Sequence, residues 1–280
     1  MPVPELILVG GSPRSGTTLM HHILGTDPRS LAIPHEAKFL GHFLTAYRLS
    51  KQEFAAYNRH FFADLTALQA QSRAFFAAVF SGLEPKPDQV LVLKDPAATL
   101  SLAEALEIFP ASRFVLMLRD PRDIVASLLA VGQRLEGTAA DYTFTIENLP
   151  GVIHYAIKHY AQTYALLQDE STRARILPVY YERLVQQPEA ELERLRSFTG
   201  LALSAYRPDQ PWAGEPPPRD PIQQAWVSEL NGQALSQRRI GNYRHTLPPQ
   251  AIWLIETSCR PFFQIFGYQP EYDKSVNSEQ

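Results

Sequence analysis

The chain has 280 residues, 45% of them hydrophobic and 20% charged, and a formal net charge of −3. That is enough apolar sequence for one large α/β domain, and the mild acidity excludes bulk nucleic-acid binding and a polybasic membrane anchor. A single cysteine, Cys259, excludes an internal disulfide; it is expected as a buried structural thiol in a reducing, cytoplasmic setting.

The first apolar run, Leu6-Ile7-Leu8-Val9, has the composition of a buried parallel strand. It is too short, and lacks the basic flank, for a signal peptide. No segment approaches the roughly 18 apolar residues of a membrane span. After the turn at Gly11 to Thr18, Leu19, Met20, Ile23 and Leu24 recur at helical spacing, and Gly25 supplies a stop. Ile33-Pro34-His35-Glu36 then reads as a polar loop. Between 39 and 80, Phe54, Tyr57, Phe61, Leu65 and Leu68 step by three or four, and Phe75, Phe76, Val79 and Phe80 continue the pattern. This predicts an amphipathic helix whose rings either pack in the core or line an apolar pocket.

Val90-Leu91-Val92-Leu93 predicts a second strand ending at Lys94-Asp95-Pro96, and Thr99 is placed to cap a helix carrying Leu102, Leu106 and Phe109. Residues 113–118 predict a third strand, with Asp120-Pro121 as N-cap and first turn of the next helix. Residues 152–168 read as a helix with Ile153, Ile157, Tyr160 and Tyr164 on one side. A fourth strand is expected over 176–180. A helix from Pro188 through Phe198 should end at Gly200. Segment 206–221 holds six prolines and no periodicity, so it is a loop, either a lid or a plain connection. Residues 250–267 predict a C-terminal helix with Ile252, Ile255 and Phe262 inward and an interruption at Pro261. Strands alternating with helices imply a single α/β domain over 1–270, its mostly parallel central sheet flanked by helices, with a polar tail at 271–280. Ligands of such sheets sit at the carboxyl ends of the strands, where Arg14, Lys94 and Arg119 all fall.

The turn Gly11-Ser12-Pro13-Arg14-Ser15-Gly16-Thr17-Thr18 has the glycine spacing of a phosphate-binding loop, but Thr17 stands where such loops carry lysine. The cation has moved inside the loop, to Arg14. Backbone N–H groups and a helix N-terminus still face an anion, while a metal-chelated triphosphate loses its lysine. Leu118-Arg119-Asp120-Pro121-Arg122-Asp123 is a second anion site, a guanidinium at a strand end beside a helix N-terminus.

Ser12-Pro13-Arg14-Ser15-Gly16-Thr17-Thr18-Leu19 resembles the 5′-phosphosulfate loop of the sulfotransferases that use 3′-phosphoadenosine-5′-phosphosulfate (PAPS), in the version of the tyrosylprotein sulfotransferases and their bacterial relatives. The resemblance implies a P-loop-like sulfotransferase fold with this loop on the nucleotide. It assigns Arg119 and Ser127 to the 3′-phosphate and Lys94 to the transferring group. His35-Glu36 resembles the family stretch that carries the general base, with Glu36 as the match and His35 as a chemically competent neighbour. Val179-Tyr180-Tyr181-Glu182 resembles the strand end that puts Tyr181 near the nucleotide, with Glu182 structural. Ser236-Gln237-Arg238-Arg239 resembles a late basic loop in which Arg238 or Arg239 covers the 3′-phosphate and Ser236 touches the sulfuryl group.

The expected reaction is in-line sulfuryl transfer from PAPS to a hydroxyl or amine, leaving 3′-phosphoadenosine-5′-phosphate (PAP), with no metal required. The aromatic content of 39–80 and Tyr155, Tyr160 and Tyr164 favours an apolar, lipid-like or carrier-tethered small-molecule acceptor, with no nucleic-acid partner and no integral membrane segment. Two rivals stay open: an ATP-using phosphotransferase with a degenerate loop, and a non-catalytic nucleotide-binding module.

Overall fold

The computed structural model describes residues 5–140, 142–214 and 218–272. The centre of the predicted 206–221 loop (residues 215–217) and most of the polar tail (273–280) therefore lie outside the described residues. Among the described residues five strands form one all-parallel sheet: β1 (Leu6–Gly11), β2 (Ser30–Glu36), β3 (Val90–Lys94), β4 (Arg113–Leu118) and β5 (Ile176–Tyr180), in the order β2-β3-β1-β4-β5. The helices of the first half are α1 (Thr17–Gly25), α2 (Lys38–Gln52), α3 (Leu65–Ser81), α4 (Leu102–Ile108), α5 (Pro121–Leu135) and α6 (Leu149–Ile157). Then come α7 (Thr163–Gln168), α8 (Glu170–Arg173), α9 (Tyr181–Gln186), α10 (Pro188–Thr199), α11 (Pro221–Gln224), α12 (Tyr243–Thr246), α13 (Pro249–Ser258) and α14 (Arg260–Phe266).

Strand alternation sorts the core into two layers. Ile7 and Val9 of β1 pack with Met20, Ile23 and Leu24 of α1 and with Leu184, Leu192 and Leu195 of α9 and α10. Leu6 and Leu8 face the other way, toward Leu40 and Leu44 of α2, α4, α5 and the C-terminal helices. Burying each of these aliphatic side chains is worth about 1.5–3 kcal/mol, so both faces of β1 are held and its carboxyl end is a fixed platform.

Several expectations change. Residues 30–36 are not a loop but the edge strand β2, pairing with β3. Pro34 is tolerated because an edge strand needs only one side of its ladder, and the register shifts between Ala32 and Glu36. The helix predicted through 54–68 is broken: α2 ends at Gln52, a 3-10 turn spans Asn58–His60, and α3 starts at Leu65 with Asp64 as its cap. Phe61 is 78% exposed, so its spacing is periodic without being buried. Thr99 caps nothing. It lies inside a 3-10 segment (Pro96–Ser101), and its Oγ1 accepts the Gly11 N–H at 2.7 Å. The 152–168 helix is three pieces, with Tyr160 buried and Tyr164 exposed. At the C-terminus Cys259 ends α13, and Pro261 opens α14 from its first turn rather than interrupting one helix. Cys259 is buried, as its composition implied. Among the described residues no helix is long and apolar enough to cross a membrane.

Candidate functional site

The carboxyl ends of β1, β3 and β4 open into a cavity of about 1250 Å³. Its base is the loop between β1 and α1. That loop is braced from behind: Ser12 N–H donates to Tyr160 Oη at 3.0 Å, Tyr160 Oη–H donates to the Met117 carbonyl at 2.9 Å, and Ser15 Oγ donates to the Ser12 carbonyl at 2.7 Å. Ser12 and Ser15 are fully buried, their hydroxyls turned to the loop's own carbonyls, while Pro13, Arg14, Gly16, Thr17 and Thr18 line the cavity. Gly16 stands at the N-cap of α1 with φ of 101°, and a Cβ there would meet the Tyr181 ring at 2.9 Å. Only glycine permits that turn with Tyr181 packed against it. No side chain caps α1 and no acid occupies its first turn, so its first N–H groups are presented to a ligand.

Arginines surround this end. Arg14 Nε donates to Ser127 Oγ at 2.9 Å, and its NH1 donates to the Trp226 carbonyl. Arg119 donates to the carbonyls of Arg14 (2.9 Å) and Arg239 (2.7 Å) and stacks 4.5 Å from the Tyr181 ring centre; its Nε is buried without a partner. Asp123 stands 4.0 Å from Arg119 and accepts the N–H groups of Gly241 and Tyr243, tying the late basic loop to α5. Burial, then the charges of Arg119, Arg134 and Arg239, lower Arg14 to about 10. Such crowding of cations favours an anionic ligand, and an orphaned buried guanidinium nitrogen points the same way. These residues therefore fit a ligand carrying more than one anionic group.

The structure separates the two late arginines. Arg239 lines the cavity and pairs with Glu229, whereas Arg238 is exposed and donates to Ser236 Oγ at 3.2 Å. Ser236 lines the cavity. Glu182 is structural, accepting from Asp120 N–H at 2.9 Å and Tyr268 Oη at 3.0 Å.

At the other end of the cavity Lys94 is buried and its Nζ donates to Thr18 Oγ1 at 3.1 Å. Glu36 is the sheet partner of Lys94, is exposed, and stands 3.8 Å from Lys38 Nζ. His35 has φ of 67°, a left-handed conformation in an edge strand, and lines the cavity beside Glu36. The rings of segment 39–80 do not form the pocket wall: Phe43, Phe75 and Phe76 pack on one another, and that segment gives the cavity Gly41, His42 and Thr45. The wall is built instead by Tyr142, Phe144, Tyr155 and Trp226, with ring centres 5.0–6.2 Å apart. Gly132 makes this possible, because a Cβ there would stand 1.9 Å from the Phe144 carbonyl. Of the three tyrosines expected toward the acceptor, Tyr155 lines the cavity, Tyr160 braces the loop and Tyr164 faces outward. Trp226 joins the two ends, its carbonyl on Arg14 and its indole in the wall.

Lining residues missed in the sequence include Asp95, Arg134, Tyr142, Phe144 and Trp226. Arg134 had a readable signal, lying seven residues, two helical turns, beyond Ser127 on α5.

Comparison with known proteins gives a consistent result. A model of the sulfotransferase family matches residues 4–205. Protein-tyrosine sulfotransferase 2 of Gallus gallus is 31% identical over 203 residues, 71% of this chain and 52% of that protein. The chain thus spans about half the length of such relatives. Among solved structures, the sulfotransferase domain from the curacin biosynthetic pathway shares the fold at a TM-score of 0.56 and 18% identity, covering 93% of this chain and 99% of that one. Sulfotransferase STF9 from Mycobacterium avium does so at 0.56 and 15%, covering 98% and 79%.

Proposed function

Because this chain belongs to the sulfotransferase family, we propose that it moves a sulfuryl group from PAPS to a hydroxyl or amine of an apolar acceptor, a small or carrier-tethered molecule. The observation that carries the reading is the clustering of Arg119, Arg134 and Arg239 about Arg14, in the loop that leads into the uncapped N-terminus of α1. PAPS supplies the activated sulfuryl group and two anionic ends. Arg119, Ser127 and Arg239 hold the 3′-phosphate. The backbone N–H groups of Arg14, Gly16, Thr17 and Thr18 and the Thr17 and Thr18 hydroxyls hold the 5′ end, with Pro13 shaping the turn and Tyr181 alongside.

Arg14 and Lys94 face the charge that grows on the sulfuryl oxygens and the leaving phosphate. One preorganised donor of this kind is worth roughly 10²–10³-fold. Glu36 receives the acceptor proton, with His35 beside it, and general-base action contributes roughly 10²–10⁴-fold. Ser236 lies within the same cavity for contact with the sulfuryl group. Tyr142, Phe144, Tyr155 and Trp226 receive the apolar body of the acceptor and exclude water. In this reading fixed guanidinium and ammonium groups supply the positive charge, and no metal is required. A reducing, cytoplasmic location belongs to the same proposal and rests on the single buried cysteine.

Calorimetric titration with PAP, AMP and ATP·Mg²⁺ tests the reading. Tight binding of PAP with weak AMP and ATP·Mg²⁺ is expected. Preference for ATP·Mg²⁺ would overturn it in favour of a phosphotransferase. Binding of none of the three would overturn it in favour of a module without donor chemistry.

A further inference from the structure

Asp95 follows Lys94 at the end of β3 and projects to the opposite face of the sheet: Lys94 reaches Thr18 of α1, while Asp95 lies against α2. Its side chain is buried at 3% exposure. Oδ1 accepts the Ala97 N–H at 2.9 Å and caps the 3-10 segment, but Oδ2 is buried without a hydrogen-bond partner. Gly41 makes room for that oxygen, since a Cβ there would stand 2.7 Å from it. Both residues line the cavity. The charged groups that act on Asp95 from the packed elements are Glu36 at the tip of β2, and Lys38 and His42 on α2. Glu36 is tied only loosely to Lys38 and is exposed, so its carboxyl is able to turn. A free carboxylate oxygen in a dry position lacks a donor, and a carboxyl that has just gained a proton is one.

We infer that Asp95 and Glu36 hold the acceptor's proton as a pair: once Glu36 has taken it, the Glu36 O–H donates to Asp95 Oδ2, which makes Asp95 a positioning residue for the transfer. The chemistry of this pair rests on the sulfuryl-transfer reading. The acceptor O–H bond breaks as its oxygen bonds to sulfur, the bond from sulfur to the 5′-phosphate oxygen breaks with its electrons leaving on PAP, and the proton stays with the two carboxyls. Burial, and next among the raising causes the charge of Glu36, push Asp95 up to about 6.

The test needs neither donor nor acceptor. The carboxyl-carbon NMR signal of Asp95, assigned by its loss in Asp95→Asn, is titrated in the unmodified protein and in Glu36→Gln. The expected result is a midpoint near 6 in the unmodified protein and a lower midpoint in Glu36→Gln. A midpoint that does not move would overturn the pair and leave Asp95 as a cap only. Coupled titration in a protein that fails to bind PAP would overturn the sulfotransferase chemistry and not the pair, so the two failures are distinguishable. Because Glu36 is exposed, Glu36→Gln is expected to leave the fold intact.

Discussion

Removing the Tyr160 hydroxyl should loosen the whole anion loop. That one oxygen accepts the Ser12 N–H at 3.0 Å and donates to the Met117 carbonyl at 2.9 Å, so it joins β4 to the turn after β1. Tyr160→Phe keeps the ring, which packs against Phe262 with centres 5.0 Å apart, and removes the hydroxyl alone. The Ser12 N–H is then left buried without an acceptor. An orphaned buried donor costs about 1–3 kcal/mol, and the second lost bond adds about 1 kcal/mol, so a destabilisation of about 2–4 kcal/mol is expected in urea unfolding. The same change frees the loop to move, and PAP affinity by calorimetry should fall by about tenfold. A loss of stability under about 0.5 kcal/mol, with unchanged PAP affinity, would show that the loop holds its shape without this brace and would refute the reasoning.

Three further outcomes follow from the same geometry. Glu36→Gln should retain PAP binding within about twofold and lose roughly 10²–10⁴-fold in turnover; turnover at the unmodified rate would remove Glu36 as the base. Arg119→Ala should weaken PAP by about tenfold or more while changing AMP little, since a charge-assisted bond is worth about 1.5–3 kcal/mol; equal losses for both ligands would detach Arg119 from the 3′-phosphate. Asp95→Asn should be more stable than the unmodified protein only at higher pH. The folded-state value of about 6 lies above the ordinary 3.8, so the folded chain binds more protons between those values. Stability from this group is lost as pH rises through that window and stays lost above it. The shift amounts to about 3 kcal/mol at most, and asparagine still caps Ala97. Urea unfolding at about pH 7.5 and about pH 4 should show the gap open at the first and closed at the second; a gap independent of pH would exclude a buried ionised Asp95.

Much of this fold is legible in the sequence because its buried strands are continuous apolar runs. β1, β3 and β4 are buried along almost their entire length, and nothing but a parallel sheet covered on both faces explains them. β2 is not legible for the converse reason. As an edge strand with Pro34 and a half-exposed to exposed pattern, it has neither an apolar run nor clean alternation. The spacing of Phe54, Tyr57 and Phe61 shows that period alone is weak evidence, since Tyr57 and Phe61 lie mostly in solvent. In the site, the loop and the strand-end cations were readable because their roles are local to a strand end. Arg238 and Arg239 were not separable, since a 3-10 turn (Gln237–Arg239) decides which one faces inward. The aromatic wall draws on Tyr142, Tyr155 and Trp226, which only tertiary packing brings together.

The arginine cluster also shows how a site stays charged without a neutralising acid at each cation. Arg14 is held by a carbonyl and a serine hydroxyl, Arg134 by the Ala225 carbonyl at 2.9 Å, and Arg119 mainly by the carbonyls of Arg14 and Arg239. Carbonyl dipoles fix a guanidinium in direction but leave its net charge available, whereas a carboxylate at each position would cancel the field that a sulfuryl and phosphate transfer needs. The cost is burial first and mutual repulsion second, which together lower Arg14 to about 10. That cost is sustained by the backbone of three segments, the loop, residues 225–226 and Arg239, so those segments are part of the anion site even where no side chain of theirs reaches a ligand. Substitutions that shift the 225–226 backbone should therefore weaken PAP through Arg14 and Arg134 together, in contrast to Glu36→Gln, which should leave PAP binding untouched.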